Sequence, residues 1–200
     1  MKKIIVATGN EGKMKEIRQI LGGEDVEIVS LKDENLQDVE IVEDGKTFEE
    51  NALIKASTIS KLTGTMVLAD DSGLEVDYMD KAPGVYSARY LGEDTPYTVK
   101  NNHIIDELKD AEGEERSARF VCVIACVLPD GRSITTRGTI EGQIGYEEKG
   151  SNGFGYDPIF YLPERGCTTA ELSPEEKNKI SHRGKALTAM YKKLKEENLL

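Results

Sequence analysis

Apolar and polar positions follow one another along the chain in a pattern that predicts strands alternating with helices. Continuous apolar runs at 2–8, 26–31 and 65–70 predict three buried strands. Between these runs, apolar residues recur every three or four positions, which predicts helices at 11–21 and from Thr47 to about residue 62. Such alternation is typical of an α/β fold.

The second half of the chain is richer in predicted strands. Apolar segments at 117–129 and 132–144 flank Asp130-Gly131, a strong signal for a β-hairpin. A glycine-rich loop at 150–157 precedes a short predicted strand, and further patterns predict helices at 97–109 and from Ser173 to the C-terminus, with Gly184 as a break. The whole pattern predicts a mixed α/β fold with a long mixed sheet flanked by helices.

Composition and charge exclude several classes of function. The chain has 200 residues, of which 38% are apolar, and a net charge of −11. A strongly acidic chain argues against a nucleic acid polymer as partner. The absence of an apolar run near 20 residues argues against a membrane span. Three cysteines without Cys-x-x-Cys spacing predict core thiols at Cys122 and Cys126 and a cytoplasmic protein.

Two adjacent acids, Asp70 and Asp71, follow the predicted strand at 65–70. In an open α/β sheet, ligands bind at the carboxyl ends of the strands. Two unpaired carboxylates repel each other there, and a divalent cation with hard oxygen ligands would relieve that repulsion. The pair therefore indicates a magnesium site. The alternative is two solvated loop aspartates, with Ser72 capping a turn.

Three other segments carry candidate chemistry, each with an ordinary structural alternative. The turn from Thr8 to Lys13 precedes a helix and suits a phosphate, although it lacks Walker A spacing and also fits a plain strand–turn–helix. Acids such as Glu43 suit a helix start in any case, and Lys55 fits a solvated surface lysine. Further along, aromatic and basic side chains suggest a nucleobase site, at Phe154, Tyr156, Lys177, His182 and Arg183. The alternative is that the histidine is structural or merely exposed.

Six motifs in order along nearly the whole chain make the sequence resemble the pyrophosphatases of non-standard purine nucleoside triphosphates, the ITP/XTP pyrophosphatase family. The motifs are TGNEGKMKE, TFEENALIKA, ADDSGLEV, APGVYSARY, GFGYDPIF and TTAELSPEEKNKISHRGKAL. The resemblance implies one α/β domain over 1–200, with two lobes and a central substrate cleft. It also implies a homodimer and the Mg²⁺-dependent hydrolysis of ITP, dITP and XTP to the monophosphate and pyrophosphate, with Mn²⁺ as a possible substitute.

The resemblance also implies roles for individual residues. Asp71 matches the general base, and Glu43, Asp70 and Asp71 match the metal site. Substrate contacts are implied for Thr8, Gly9, Asn10, Glu11, Gly12, Lys13, Lys55, Ser72, Phe154, Gly155, Tyr156, Asp157, Lys177, His182 and Arg183. The chain departs from the family pattern at Val42, where an acid is common, and at Asn152, where a glycine is common.

Two rival functions stay open from the sequence. A Maf-type pyrophosphatase acting on dTTP, UTP or modified nucleotides would also use magnesium, but the GFGYDPIF and SHR segments speak against it. A regulatory protein that binds nucleotide without hydrolysis is the second rival. The paired aspartates favour chemistry over sensing, because a pure binder gains little from an acid placed to activate water.

Overall fold

The computed structural model describes residues 2–23 and 26–200, and its elements follow the predicted order. The strands are β1 (Lys2–Val6), β2 (Val26–Ser30), β3 (Val67–Val76), β4 (Ser117–Val127), β5 (Ser133–Ile144), β6 (Phe160–Leu162) and β7 (Cys167–Thr168). The α-helices are α1 (Glu11–Leu21), α2 (Phe48–Thr63), α3 (Tyr97–Glu107), α4 (Pro174–Ile180) and α5 (His182–Glu196). Short 3₁₀ turns connect several of them.

Within the described residues the strands form one seven-stranded mixed sheet in the order β2-β1-β3-β4-β5-β6-β7. β1 pairs in parallel with β2 and β3, whereas β6 pairs antiparallel with β5 and β7. The predicted long mixed sheet with flanking helices is therefore confirmed. The short segment after the glycine-rich loop differs from the prediction, because a 3₁₀ turn takes residues 157–159 before β6 begins.

The two adjacent acids do not end a strand, which corrects the prediction of a strand stopping at residue 70. β3 continues through Asp70 and Asp71 to Val76. The partner β1 does end here, since its last paired residue, Val6, lies opposite Leu68. The acids thus lie just beyond the end of the parallel ladder, and side chains alternate along a strand, so the two carboxylates project from opposite faces of the sheet.

The C-terminal helical region breaks at a different residue from the one predicted. α4 begins after Ser173, whose side chain accepts from the Glu176 backbone N–H, and the capping box is complete. The break comes at Ser181, whose extended backbone separates α4 from α5, while Gly184 lies inside α5. His182 and Arg183 consequently stand in the first turn of α5.

The chain forms two compact units. Unit 1 comprises residues 1–71, 122–138 and 183–200, and unit 2 comprises residues 72–121 and 139–182. The core of unit 1 packs α1 and α5 on the strands, through side chains such as Ile4, Met14, Ile17, Leu68 and Met190. The core of unit 2 includes Leu74, Ile104, Ile144, Phe160 and Leu162.

The cysteines match their predicted role. Cys122 and Cys126 are buried with free thiols, and burial raises the pKa of both, that of Cys126 to about 12, which disfavours the nucleophilic thiolate. Among the helices of the described ranges, none has the length and apolar content that crossing a membrane requires.

Candidate active site

The turn between β1 and α1 is built by local hydrogen bonds. Asn10 caps α1, because its Oδ1 accepts from the Lys13 backbone N–H at 3.0 Å. The Thr8 hydroxyl oxygen accepts from the Asn10 N–H at 3.2 Å. A side chain added at Gly9 would meet no atom within 4 Å, so open space lies above the turn. The turn from Thr8 to Lys13 thus presents a helix N-terminus to an open side, as a phosphate site needs.

Asp70 is held as an anion at the centre of a buried charge cluster in unit 1. Its Oδ2 accepts from Nε and Nη2 of Arg183, both at 3.2 Å, and its Oδ1 lies 3.1 Å from the Lys13 ammonium. Burial alone would raise the pKa of Asp70, but the positive charges of Lys13 and Arg183 outweigh it and hold this pKa well below its usual range. Asp70 is therefore ionised and engaged by cations.

Asp71 has the opposite electrostatic character. Its Oδ1 accepts from the Lys55 ammonium at 3.2 Å, whereas its buried Oδ2 has no hydrogen-bond partner among the residues that the structure describes. Burial raises the pKa of Asp71 above its usual value, Asp70 adds to the rise, and Lys55 and Lys13 offset only part of it. Neighbouring carboxylates whose environments move their pKa values apart are a mark of acid–base assignment. Asp71 is the better proton acceptor of the two.

Lys55, a residue of α2, forms ion pairs with two carboxylates of unit 1. Its ammonium lies 2.9 Å from Glu43 Oε2 and 3.2 Å from Asp71 Oδ1. Burial lowers the pKa of Lys55, but the charges of Asp71, Asp70 and Glu43 raise it further than burial lowers it, so the amine stays protonated. Lys55 is buried rather than a solvated surface lysine.

The carboxylates around Lys55 fit a magnesium site in part. No group of three or more His, Cys, Asp or Glu side chains within residues 2–23 and 26–200 is arranged to hold a metal. Glu43 and Asp71 nevertheless offer hard oxygens around one cation, the Lys55 ammonium, and no donor within residues 2–23 and 26–200 reaches the buried Asp71 Oδ2. Two carboxylates, completed by water and phosphate oxygens, are the usual protein share of a Mg²⁺ site. Asp70 fits such a role less well, since cations already engage it.

Arg183 is committed to carboxylates in this arrangement. It is 2% exposed, and its guanidinium donates to Asp70 through two nitrogens and to Glu16 Oε2 through Nη1. Glu16 was not singled out as a functional residue in the sequence, although it is the last residue of the TGNEGKMKE motif. The signal that could have found it is a charged residue directly beside the apolar stripe of α1.

In unit 2, Asp157 organises the glycine-rich loop. Its Oδ2 accepts from the Phe154 backbone N–H at 2.8 Å and from the Lys177 ammonium at 2.7 Å. Its Oδ1 accepts from the Thr169 hydroxyl at 2.8 Å. Asp157 is only 2% exposed. We call its buried carboxylate, together with the Lys177 ammonium and the Phe154 N–H that it binds, the clamp. The clamp brings together three of the residues predicted to contact substrate.

The two aromatic residues of the loop differ in availability. Phe154 is half-buried, and the Lys177 ammonium lies 5.0 Å from its ring centroid. Tyr156 is buried; its ring packs edge-on against Tyr97 at 5.2 Å, and its hydroxyl donates to Ser87 O at 2.6 Å. Phe154 is therefore the better candidate for stacking on a base, while Tyr156 supports the loop from the core.

The remaining predicted residues of unit 2 lie on neighbouring elements. The His182 ring stacks on Phe120 at 4.8 Å, and Phe120 in turn stacks on Phe160 at 4.2 Å. These stacks fix the plane of the imidazole. Ser72 is half-buried on β3, and Gly155 has a positive φ of 65° in the loop.

Replacing Gly153 with alanine is expected to loosen the clamp. Gly153 has a φ of +71°, and an added Cβ would lie 2.1 Å from Asp157 Oδ2. We expect G153A to lower the free energy of unfolding by about 1–3 kcal/mol more than a substitution with backbone strain alone. The measurement is urea denaturation of G153A and of a control variant, G166A.

The matched control is G166A. Gly166 also has a positive φ, +67°, but an added Cβ there meets nothing within 4 Å. Its cost should be only the left-handed strain, about 1–2 kcal/mol. Equal destabilisation by the two substitutions would contradict the clamp.

Comparison with known proteins places the chain in a family. The model of the Ham1 family matches residues 4–193. The dITP/XTP pyrophosphatase of Bacillus licheniformis is 51% identical over 94% of this chain and 95% of the relative, and that of Exiguobacterium sibiricum is 50% identical over 92% and 93%. The solved structure of the Staphylococcus aureus Ham1 protein is 39% identical, with a TM-score of 0.87 over 98% of this chain and 100% of that one. With a match over nearly the whole length in sequence and in fold, the chain belongs to the Ham1 family.

Proposed function

We propose that this chain hydrolyses ITP, dITP and XTP to the nucleoside monophosphate and pyrophosphate, with Mg²⁺ as cofactor and Mn²⁺ as a substitute. In this role it would remove deaminated purines from the nucleotide pool of the cytoplasm. Membership of the Ham1 family, together with relatives that are dITP/XTP pyrophosphatases, makes the chain a nucleoside triphosphate pyrophosphatase. The choice of purine, the metal and the cellular role are the proposal.

The observation that carries the proposal is the difference between the two adjacent aspartates. Asp70 is ionised between Lys13 and Arg183, which lower its pKa, whereas Asp71 lies 3.2 Å from Lys55 and burial keeps its pKa raised. A carboxylate with a raised pKa is a stronger base than an ordinary aspartate. Asp71 is therefore suited to take a proton from an attacking water.

In the proposed reaction, Asp71 orients a water and accepts its proton. The water oxygen bonds to the α-phosphorus, and the bond from that phosphorus to the α–β bridging oxygen breaks, so that pyrophosphate leaves. Lys13, beside the turn at Thr8, and Lys55 supply positive charge for the leaving group. Glu43 and Asp71 would hold Mg²⁺, which when bound neutralises phosphate charge and makes a coordinated water more acidic.

Selection of the purine is assigned to unit 2. Phe154 would stack on the base, and the Lys177 ammonium and His182 would donate toward the carbonyl at position 6 of hypoxanthine or xanthine. Adenine carries an amino group there, so a donor would face a donor. A buried unpaired donor costs roughly 1–3 kcal/mol, which disfavours ATP by about 10- to 100-fold for each mismatch.

The test is pyrophosphate release from ITP, dITP, XTP, GTP, ATP and dTTP, with Mg²⁺ or with a chelator. We expect release from the first three, its loss in chelator, and its recovery on adding Mg²⁺ or Mn²⁺. A preference for dTTP would instead indicate a Maf-type activity. Nucleotide binding without release from any of the six would indicate a sensor.

We also propose that the chain acts as a homodimer, a proposal supported by the family resemblance. Sedimentation equilibrium of the purified protein is the measurement. A mass equal to that of one 22.1 kDa chain at micromolar concentration would contradict it.

A further inference from the structure

The glycine-rich loop of unit 2 is held by a second segment, residues 167–172, which we call the template segment. The Asn152 backbone N–H donates to Ala170 O at 2.9 Å, and the Asn152 side-chain Nδ2 donates to Leu172 O at 3.0 Å. The Thr168 hydroxyl donates to Lys149 O at 2.7 Å. The start of the loop is thus fastened to the template segment by three hydrogen bonds.

The loop needs such ties because its backbone is intrinsically free. Gly150, Gly153 and Gly155 all have positive φ, at 87°, 71° and 65°. Glycine loses more conformational entropy on ordering than any other residue. A Cβ at Gly150 would lie 2.4 Å from the Ala170 carbonyl carbon, so the loop backbone packs directly on the template segment. The three glycines allow this close packing, but they do not by themselves restrict the loop to one conformation.

Asn152 donates both a backbone and a side-chain hydrogen bond to the template segment. It stands directly before Gly153, whose close approach to Asp157 sets the clamp on Lys177 and on the Phe154 N–H.

We propose that Asn152 is a positioning residue: its side-chain amide orders the loop 149–157 before substrate arrives, and so lowers KM. The proposal rests on the proposed function, in which Phe154 and Lys177 of this site contact the purine. A loop that becomes ordered only when substrate binds loses conformational entropy at that step, and this loss weakens binding. A loop that is already ordered loses little entropy on binding, so the affinity is higher. In the proposed function Asn152 supports residues that contact the base and not those that act on the phosphates, so kcat should be preserved.

The test compares N152A and N152D with N102A. Asparagine and aspartate have the same shape, but aspartate cannot donate to Leu172 O. Asn102 is the matched control, since its Nδ2 donates to a backbone carbonyl, Thr98 O, at 2.9 Å, on α3 of the same unit. The readouts are KM and kcat for ITP and XTP, and hydrogen exchange of peptides covering 149–157.

We expect N152A and N152D to raise KM about three- to tenfold, the range for one lost hydrogen bond, with kcat within about twofold of wild type. Exchange in 149–157 should become faster in both, and N102A should behave as wild type. The inference is overturned if the Asn152 variants match N102A in KM, if kcat falls while KM is unchanged, or if exchange quickens without a change in KM. Failure of the proposed function is distinguishable, because wild type itself would then release no pyrophosphate from ITP or XTP.

Discussion

Replacing Asp71 with asparagine is expected to lower kcat for ITP and XTP by roughly 10²- to 10⁴-fold, the usual contribution of a general base. Asparagine keeps the shape and one oxygen but cannot accept the proton from the attacking water. Because Asp71 Oδ1 accepts from Lys55, the amide nitrogen should take the place of the buried Oδ2, for which the described part of the chain offers no hydrogen-bond partner. Pyrophosphate release at saturating substrate and Mg²⁺ is the measurement.

The control is D130N in the β4–β5 turn. Asp130 accepts from the Arg132 backbone N–H at 3.0 Å, and asparagine can still do so. Its carboxylate belongs to an exposed turn of unit 1, so D130N should keep wild-type kcat. Residual activity of D71N within about threefold of D130N would rule out Asp71 as the base.

Replacing Arg183 with glutamine is expected to destabilise the fold by about 3–5 kcal/mol, because it removes the guanidinium charge from two buried carboxylates and leaves Asp70 with Lys13 alone. Asp70 and Glu16 both accept from this guanidinium. The matched control is R137Q, since Arg137 pairs with Glu49 at 2.7 Å but its side chain is 45% exposed. Such surface pairs contribute about 0–1 kcal/mol. Equal midpoints of urea unfolding for the two variants would refute the buried cluster.

The same variant has an expected pH dependence. In wild type the pKa of Asp70 is lowered on folding, so this group adds stability above its unfolded pKa of about 3.9 and loses it as the pH falls below that value. In R183Q one of the cations that lowers this pKa is gone. The stability difference between wild type and R183Q should therefore narrow as the pH falls from 7 toward 3, as urea titrations at each pH would reveal.

R183Q also separates two roles for Arg183. If the guanidinium reads the base, as its place in the predicted nucleobase site suggests, the ratio of ITP to ATP turnover should fall. If it positions Asp70, turnover of both nucleotides should fall with the ratio kept. The observed bonds to Asp70 and Glu16 favour the second outcome.

Most elements could be predicted because their signals are local. α2 begins where it was predicted, at a local cap in which the Thr47 hydroxyl accepts from the Glu50 N–H at 3.1 Å and the Glu50 carboxylate accepts from the Lys46 N–H at 2.6 Å. The hairpin turn forms at Asp130-Gly131, with Gly131 at a φ of +87°. Caps and tight turns depend on three or four neighbouring residues, which any reader of the chain can see.

Where sequence reasoning failed, a distant partner decided the outcome. An acidic pair inside a run of apolar residues suggested a strand end, since a buried carboxylate without a partner is costly. β3 runs through both acids because each meets a cation from elsewhere in the chain: Asp70 meets Arg183, 113 positions away, and Asp71 meets Lys55. The residues that flank Asp70 and Asp71 in the sequence do not indicate these distant cations.

The sequence by itself determined the mixed α/β class, the order of the elements, and the residue types that chemistry on a nucleoside triphosphate requires. Only the tertiary structure decided which role each of those residues can take. Alternation along β3 sends Asp70 toward Lys13 and Arg183 and Asp71 toward Lys55, and so moves the pKa values of two identical side chains in opposite directions. The physical reason is that burial and neighbouring charge set a pKa, and both come from the folded environment rather than from the residue.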